Sequence, residues 1–294
     1  MPRAFVWTEA FSCGELLNPF LSSYLTHHKE PIHVFGSDED LRGVLVDDPR
    51  IQLMHPGSQA MPTSTFHDIV QGYREGHLGT AMLWSYLVRT RNEDFLIHAD
   101  ADIVFLGNAV EDVLLALQEG AILAGPRREY RLNTLGVDAV RGRADTVDTV
   151  CFGFRRKKVK QIYRRRPRSI IGSSRLDSAL GRQVLDFFDP VSFSLMRHGD
   201  VAYLDSPEGG PSAHRESNSS FLSKFLAVRS AVGSGCAISK GRMSTSSGYS
   251  KYALESWALY RHHILGVETS EPPPVDPQLE QQLSTIDRSS WQRK

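Results

Sequence analysis

Asp100 and Asp102 stand two residues apart at the end of an apolar run, Leu96-Ile-His-Ala, and a second apolar run, Ile103-Val-Phe-Leu, follows at once. Removing an unpaired carboxylate from water costs several kcal/mol or drives a pKa shift. Two of them at the tip of an apolar strand therefore point to a divalent cation, with an anionic group beyond it. Taken alone, the same spacing also suits a solvated strand-end turn in which Asp accepts from backbone donors.

Residues 4–8, 32–35, 51–54, 95–99 and 121–124 read as strands, short apolar runs bounded by turn residues. Helical spacing of apolar residues marks 16–28 (Leu17, Phe20, Leu21, Tyr24), 79–90 (Met82, Leu83, Tyr86, Leu87) and 110–117. A polar loop with Pro56, Gly57 and Pro62 separates the two halves of this pattern. Strands alternating with helices predict an α/β fold with a mostly parallel, doubly wound sheet flanked by helices. Ligands of such sheets bind beyond the carboxyl ends of the strands, the expected place of Asp100 and Asp102. The second half is less regular: 146–154 and 201–204 read as strands, 192–197 and 252–262 as helices, and 209–218 and 233–249 as Gly/Ser-rich loops. The segment 267–294, with three consecutive prolines and few apolar residues, is expected to be an extended or disordered tail.

The chain has 294 residues, enough to bury a sizeable core. Lys+Arg and Asp+Glu both number 34, giving zero net charge, so global electrostatics predicts no general attraction to nucleic acid. Three widely spaced cysteines, Cys13, Cys151 and Cys236, argue for a reducing compartment and against a disulfide framework or zinc site. With no sustained apolar stretch at the amino end and no run of 18 apolar residues, the expectation is a soluble, cytoplasmic protein.

Three segments, in order, carry a family resemblance. Asp100-Ala-Asp102 resembles the DxD motif of the GT-A glycosyltransferases, and Gly76-His-Leu-Gly-Thr-Ala81 resembles the segment that opens the preceding helix in family-2-like members. Phe188-Asp-Pro-Val-Ser-Phe-Ser-Leu followed by His198-Gly-Asp-Val-Ala-Tyr-Leu is similar to the family's catalytic-acid segment. The resemblance covers roughly residues 4–225. It implies a GT-A type fold over 1–266, with a nucleotide-binding half (1–125) and an acceptor-side catalytic half (126–266). It also implies transfer of a sugar from a nucleotide-diphosphate donor, a UDP- or GDP-sugar, to an acceptor hydroxyl with inversion. The acceptor class stays open between a glycan, a lipid-linked molecule and a small molecule.

By the same resemblance Asp102 holds Mn²⁺ or Mg²⁺ directly and Asp100 contacts the metal or the donor ribose. A hard cation on carboxylate oxygens neutralises the diphosphate and assists its departure as a Lewis acid. His214 is the implied third ligand, with His263 of His263-Ile-Leu-Gly266 the second choice. Asp189 is the candidate general base and Asp186 its alternative. Phe188 stands where the family has the partner acid, and Pro190 also suits Asp189 as a helix cap. Thr8 and Glu9 at the first strand tip, Asp38 after the second strand, and His77 complete the expected donor contacts. Gly153, in Cys151-Phe-Gly-Phe154, permits close approach of a donor sugar, or equally of core side chains.

One local charge anomaly stands outside the motif set. Residues 155–168 hold nine Lys/Arg, and no Asp or Glu occurs from 149 through 176. A solvated flexible loop, an anionic acceptor site and a peripheral membrane contact are the competing readings. Nucleic acid is disfavoured, because Tyr163 is the one aromatic in the run. Two other functions compete with glycosyl transfer. A sugar nucleotidyltransferase shares the topology but calls for a Gly-rich basic loop after the first strand, where Thr8-Glu-Ala-Phe-Ser-Cys-Gly14 offers one glycine and no base. A non-catalytic binding protein would use the basic run alone.

Overall fold

The computed structural model describes residues 2–10, 14–55, 61–74, 78–130, 144–147, 150–165, 195, 199–204, 221–227, 252–253, 262, 264, 266 and 277–289. The chain forms two compact units. Unit 1 comprises Met1–Phe5, Pro62–His98 and Asp112–Asn218, and unit 2 comprises Val6–Met61, Ala99–Glu111 and Ser219–Lys294.

Seven strands make the main sheet: β1 (Ala4–Ala10), β2 (Ile32–Gly36), β3 (Ile51–Met54), β4 (Phe95–Ala99), β6 (Leu123–Gly125), β9 (Cys151–Arg155) and β10 (Val201–Tyr203). Their order is β10-β6-β9-β4-β1-β2-β3. The pairs β1–β2, β2–β3 and β6–β10 are parallel, and β6–β9 is antiparallel. This is the expected α/β architecture with a mostly parallel sheet. β1, β4 and β9 are buried along nearly their whole length, as strands covered on both faces must be. β3, at the sheet edge, alternates in exposure.

In unit 2, α1 (Gly14–His27) buries Leu16, Leu17, Phe20, Leu21 and Tyr24 at helical spacing. β5 (Ile103–Phe105) belongs to a separate small sheet, ordered β12-β11-β5, where it runs antiparallel to β11 (Phe225–Ala227); β11 pairs in parallel with β12 (Tyr252–Ala253). Phe105 packs on α1, its ring 5.6 Å from Phe20 and 5.7 Å edge-on from Tyr24. The short α2 (Asp38–Arg42) starts at Ser37, whose Oγ accepts the Asp40 N–H at 3.2 Å.

In unit 1, α3 (Thr63–Arg74), α4 (Leu78–Thr90), α5 (Ala109–Gln118, within the unit from Asp112) and α6 (Arg156–Arg165) accompany the strands, and β7 (Arg127–Tyr130) pairs with β8 (Ala144–Val147) in a two-stranded sheet. Trp84 of α4 stacks on Phe152 of β9 at 5.2 Å and lies 4.9 Å from His98 of β4. Gly72 and Gly79 let α3 and α4 touch, since a Cβ on Gly72 would come within 2.9 Å of the Gly79 nitrogen.

Several expectations need correction. α3 forms where only a loop was expected to lead on; Pro62 precedes it and accepts the Phe66 N–H, while Phe66 and Ile69 supply its buried face. The run 146–154 is not one strand, because β8 and β9 pair in different sheets. Tyr252–Ala253 is a strand instead of the start of a helix. The basic run is helical from Arg156 to Arg165 and not a flexible loop. In the tail, Pro277–Leu283 forms α7, with Leu283 and Ile286 buried. Of the expected helix 192–197, only Leu195 is among the described residues.

Candidate functional site

β1 and β4 enter the sheet together. The Arg3 N–H donates to Asp94 Oδ2 at 3.2 Å, and the N–H groups of Asp94 and Phe95 donate to the Arg3 carbonyl at 2.9 and 3.2 Å. Strands that start side by side and run in the same direction also end at the same edge. Counting only strands of the main sheet in chain order, the sequence across it is 7-5-6-4-1-2-3, so β1 and β4 flank the point where the order reverses. In doubly wound sheets that switch point, at the carboxyl ends, is where ligands bind.

The residues at this edge in unit 2 come from three segments. β1 ends Thr8-Glu9-Ala10, in register with Val34, Phe35 and Gly36 of β2. Thr8 is fully buried, and its Oγ1 has no hydrogen-bond partner among the described residues. A buried hydroxyl left unpaired costs about 1–3 kcal/mol, and a ligand group that paired it would recover that cost. Glu9 is half-buried.

The third segment is Asp100-Ala101-Asp102, where the chain turns out of β4 and into β5, from the main sheet to the small one. Asp100 and Asp102 are 6% and 7% exposed. Carboxylates held so far from water require compensating partners, which backbone donors of the turn or a bound cation can supply.

The turn is braced from α1. Ser23 Oγ accepts the Phe105 N–H at 2.9 Å and donates to the Phe20 carbonyl at 2.9 Å. His28 Nε2 accepts the Val110 N–H at the start of α5 at 3.3 Å, and Nδ1 bonds the Tyr24 carbonyl at 3.0 Å. An N–H can only donate and a carbonyl only accept, so the ring is neutral with its proton on Nδ1. Burial pushes the His28 pKa down to about 3. Arg50 closes the other side of α1, donating to the carbonyls of Leu25 and His28 and bidentately to Asp48. None of these polar residues belongs to a recognisable motif.

Other expected site residues fall differently. Asp38 is exposed in the first turn of α2, where an acid suits the helix N-terminus, and its Oδ1 lies 3.7 Å from His55 Nδ1. Gly153 makes room for the core: a Cβ there would meet Val113 at 2.7 Å, Ile97 at 3.0 Å and Leu117 at 3.1 Å. Core packing is thus a sufficient reason for a glycine there. His77, Asp186, Asp189, His214 and His263 lie outside the described residues.

Among the described residues no three His, Cys, Asp or Glu side chains form a group that could hold a metal ion. Two buried carboxylates nevertheless fit a hard cation of the Mg²⁺ type, which is commonly held by one or two carboxylates with the remaining positions filled by substrate phosphates and water. Also among the described residues, no helix is long and apolar enough to cross a membrane. Comparison of the chain with protein-family models and with curated proteins finds no match to either.

Proposed function

We propose that the protein is a metal-dependent glycosyltransferase of GT-A type that moves a sugar from a nucleotide-diphosphate donor to an acceptor hydroxyl. The observation that carries this reading is the burial of Asp100 and Asp102 in the turn after β4, at the sheet edge where β1 also ends. Buried acids at a switch point have a simple chemical use when a polyanion and its cation bind there. The Thr8 hydroxyl on the neighbouring strand, without a partner among the described residues, offers a hydrogen bond to a polar donor group.

In this reading Asp102 and Asp100 would hold Mn²⁺ or Mg²⁺, which when bound supplies charge neutralisation to the departing diphosphate. The chain's own contribution is positional. Ser23 and His28 fix the backbone on the far side of the turn, at Phe105 and Val110, so the carboxylates need little reorganisation as charge develops. Asp189, with Asp186 as alternative, is the proposed base for the acceptor hydroxyl, giving inversion. His214 is the proposed additional ligand. The acceptor stays at the level of an alcohol.

A thermal-shift titration tests the binding half of this reading. UDP or GDP with Mn²⁺ should raise the melting temperature of the wild-type protein, as any ligand selective for the folded state does, and should leave Asp102→Ala unmoved. No shift with either nucleotide would remove the reading.

A further inference from the structure

Among its described side chains, α6 carries more positive charge than the fold uses. Three described cations of the run are occupied within unit 1. Arg155 Nε donates to the Ala121 carbonyl at 2.9 Å, and its guanidinium also reaches the Leu117 carbonyl near the end of α5. Arg156 is buried, with Nε on the Glu93 carbonyl at 2.8 Å. Lys160 Nζ donates to the Arg89 carbonyl at the end of α4 at 2.9 Å. Each of the three thus satisfies a backbone carbonyl of unit 1, so these side chains are explained by the fold.

Lys157 and Lys158 are not. Arg156 and Val159, three apart, face inward, whereas Lys157, Lys158 and Gln161 are exposed. The sequence then adds Arg164, Arg165, Arg166 and Arg168, and no acid occurs from 149 through 176 in a chain of zero net charge. A solvated helix face with no binding role ordinarily intersperses both signs.

We propose that the exposed Lys157 and Lys158, together with the basic residues that follow them in the sequence, attach the protein to an anionic lipid surface. A lamella needs no groove, only a like-signed cluster within a Debye length, and each Lys or Arg near it adds a similar increment. Single-stranded nucleic acid is the weaker fit, because binding there combines basic residues with several stacking aromatics and this run has Tyr163 alone. The inference stands independently of glycosyl transfer.

The test is co-sedimentation of the full chain with vesicles of pure phosphatidylcholine, and with vesicles of three parts phosphatidylcholine to one part phosphatidylserine. The protein should pellet with the anionic vesicles only and be released by high salt. Lys157→Glu/Lys158→Glu should weaken partitioning by about tenfold or more while keeping the wild-type melting temperature; should it melt lower, Lys157→Gln/Lys158→Gln replaces it. Pelleting equally with neutral vesicles, failing to pellet with anionic ones at low salt, or partitioning undiminished in a folded variant would overturn the proposal. Retention on single-stranded RNA without retention on anionic vesicles would assign the patch to nucleic acid and overturn it equally.

Discussion

His28 and Val110 are joined by a hydrogen bond in which a neutral imidazole accepts the first free N–H of a helix, Nε2 to N at 3.3 Å. Tyr24 stacks on the same ring at 4.6 Å, and Phe105 meets it edge-on at 4.5 Å. The ring is thus held where protonation would break an acceptor bond and put a charge among aromatics.

That arrangement sets a pH dependence. The folded-state pKa of His28, about 3, lies below its unfolded value of 6.5 because burial disfavours the cation. Above pH 6.5 both states are neutral and the contribution is fully present. As pH falls the unfolded chain takes up the proton first, so stability is lost between 6.5 and 3. Between pH 7 and 5 this amounts to about 2 kcal/mol. Urea unfolding at the two pH values should show that loss in the wild type and a smaller one in His28→Gln; equal losses would contradict the assignment.

Ser23→Ala should destabilise the protein by about 1–3 kcal/mol, because the buried Phe105 N–H loses its acceptor. The urea midpoint should move at constant m-value. A change below a few tenths of a kcal/mol would mean that water reaches the site.

Gly153→Ala should cost about 1–3 kcal/mol through overpacking, since the new methyl meets Val113, Ile97 and Leu117 inside van der Waals distance. Thermal unfolding checks it, and an unchanged or higher melting temperature would show that the space is free for a ligand after all.

Thr8→Val should act with opposite signs in the free and liganded protein. Removing an unpaired buried hydroxyl while keeping the side chain's shape should stabilise the free form by about 1 kcal/mol. The Mn²⁺–nucleotide thermal shift should shrink. Destabilisation of the free protein would mean that the hydroxyl already has a partner.

Much of this architecture is legible from residue order. The strands β1, β2 and β4 are largely apolar and mostly buried, and Asp100 and Asp102 stand out visibly after the last of them. α3 carries no legible stripe in the sequence, since only Phe66, Ile69 and Gly72 of its twelve residues are described as buried. The break at Val150 and the strand at Tyr252 are set by pairing partners elsewhere in the chain, which local pattern does not reveal. Ser23 and His28 each act on a backbone group 82 residues later, so no motif could announce them. Gly153 reads equally well as ligand space or packing space in the sequence, and the side chains that crowd it come from distant segments.

The central claim is that Asp102 serves a metal-dependent sugar donor. Its most direct test is release of nucleoside diphosphate from a panel of UDP- and GDP-sugars with Mn²⁺, comparing wild type with Asp102→Asn. The account predicts Mn²⁺-dependent turnover of one donor class by the wild type and a drop of at least about a hundredfold in the variant. Turnover that survives Asp102→Asn unchanged, or no turnover of any donor by folded wild-type protein with or without acceptor alcohols, would contradict it.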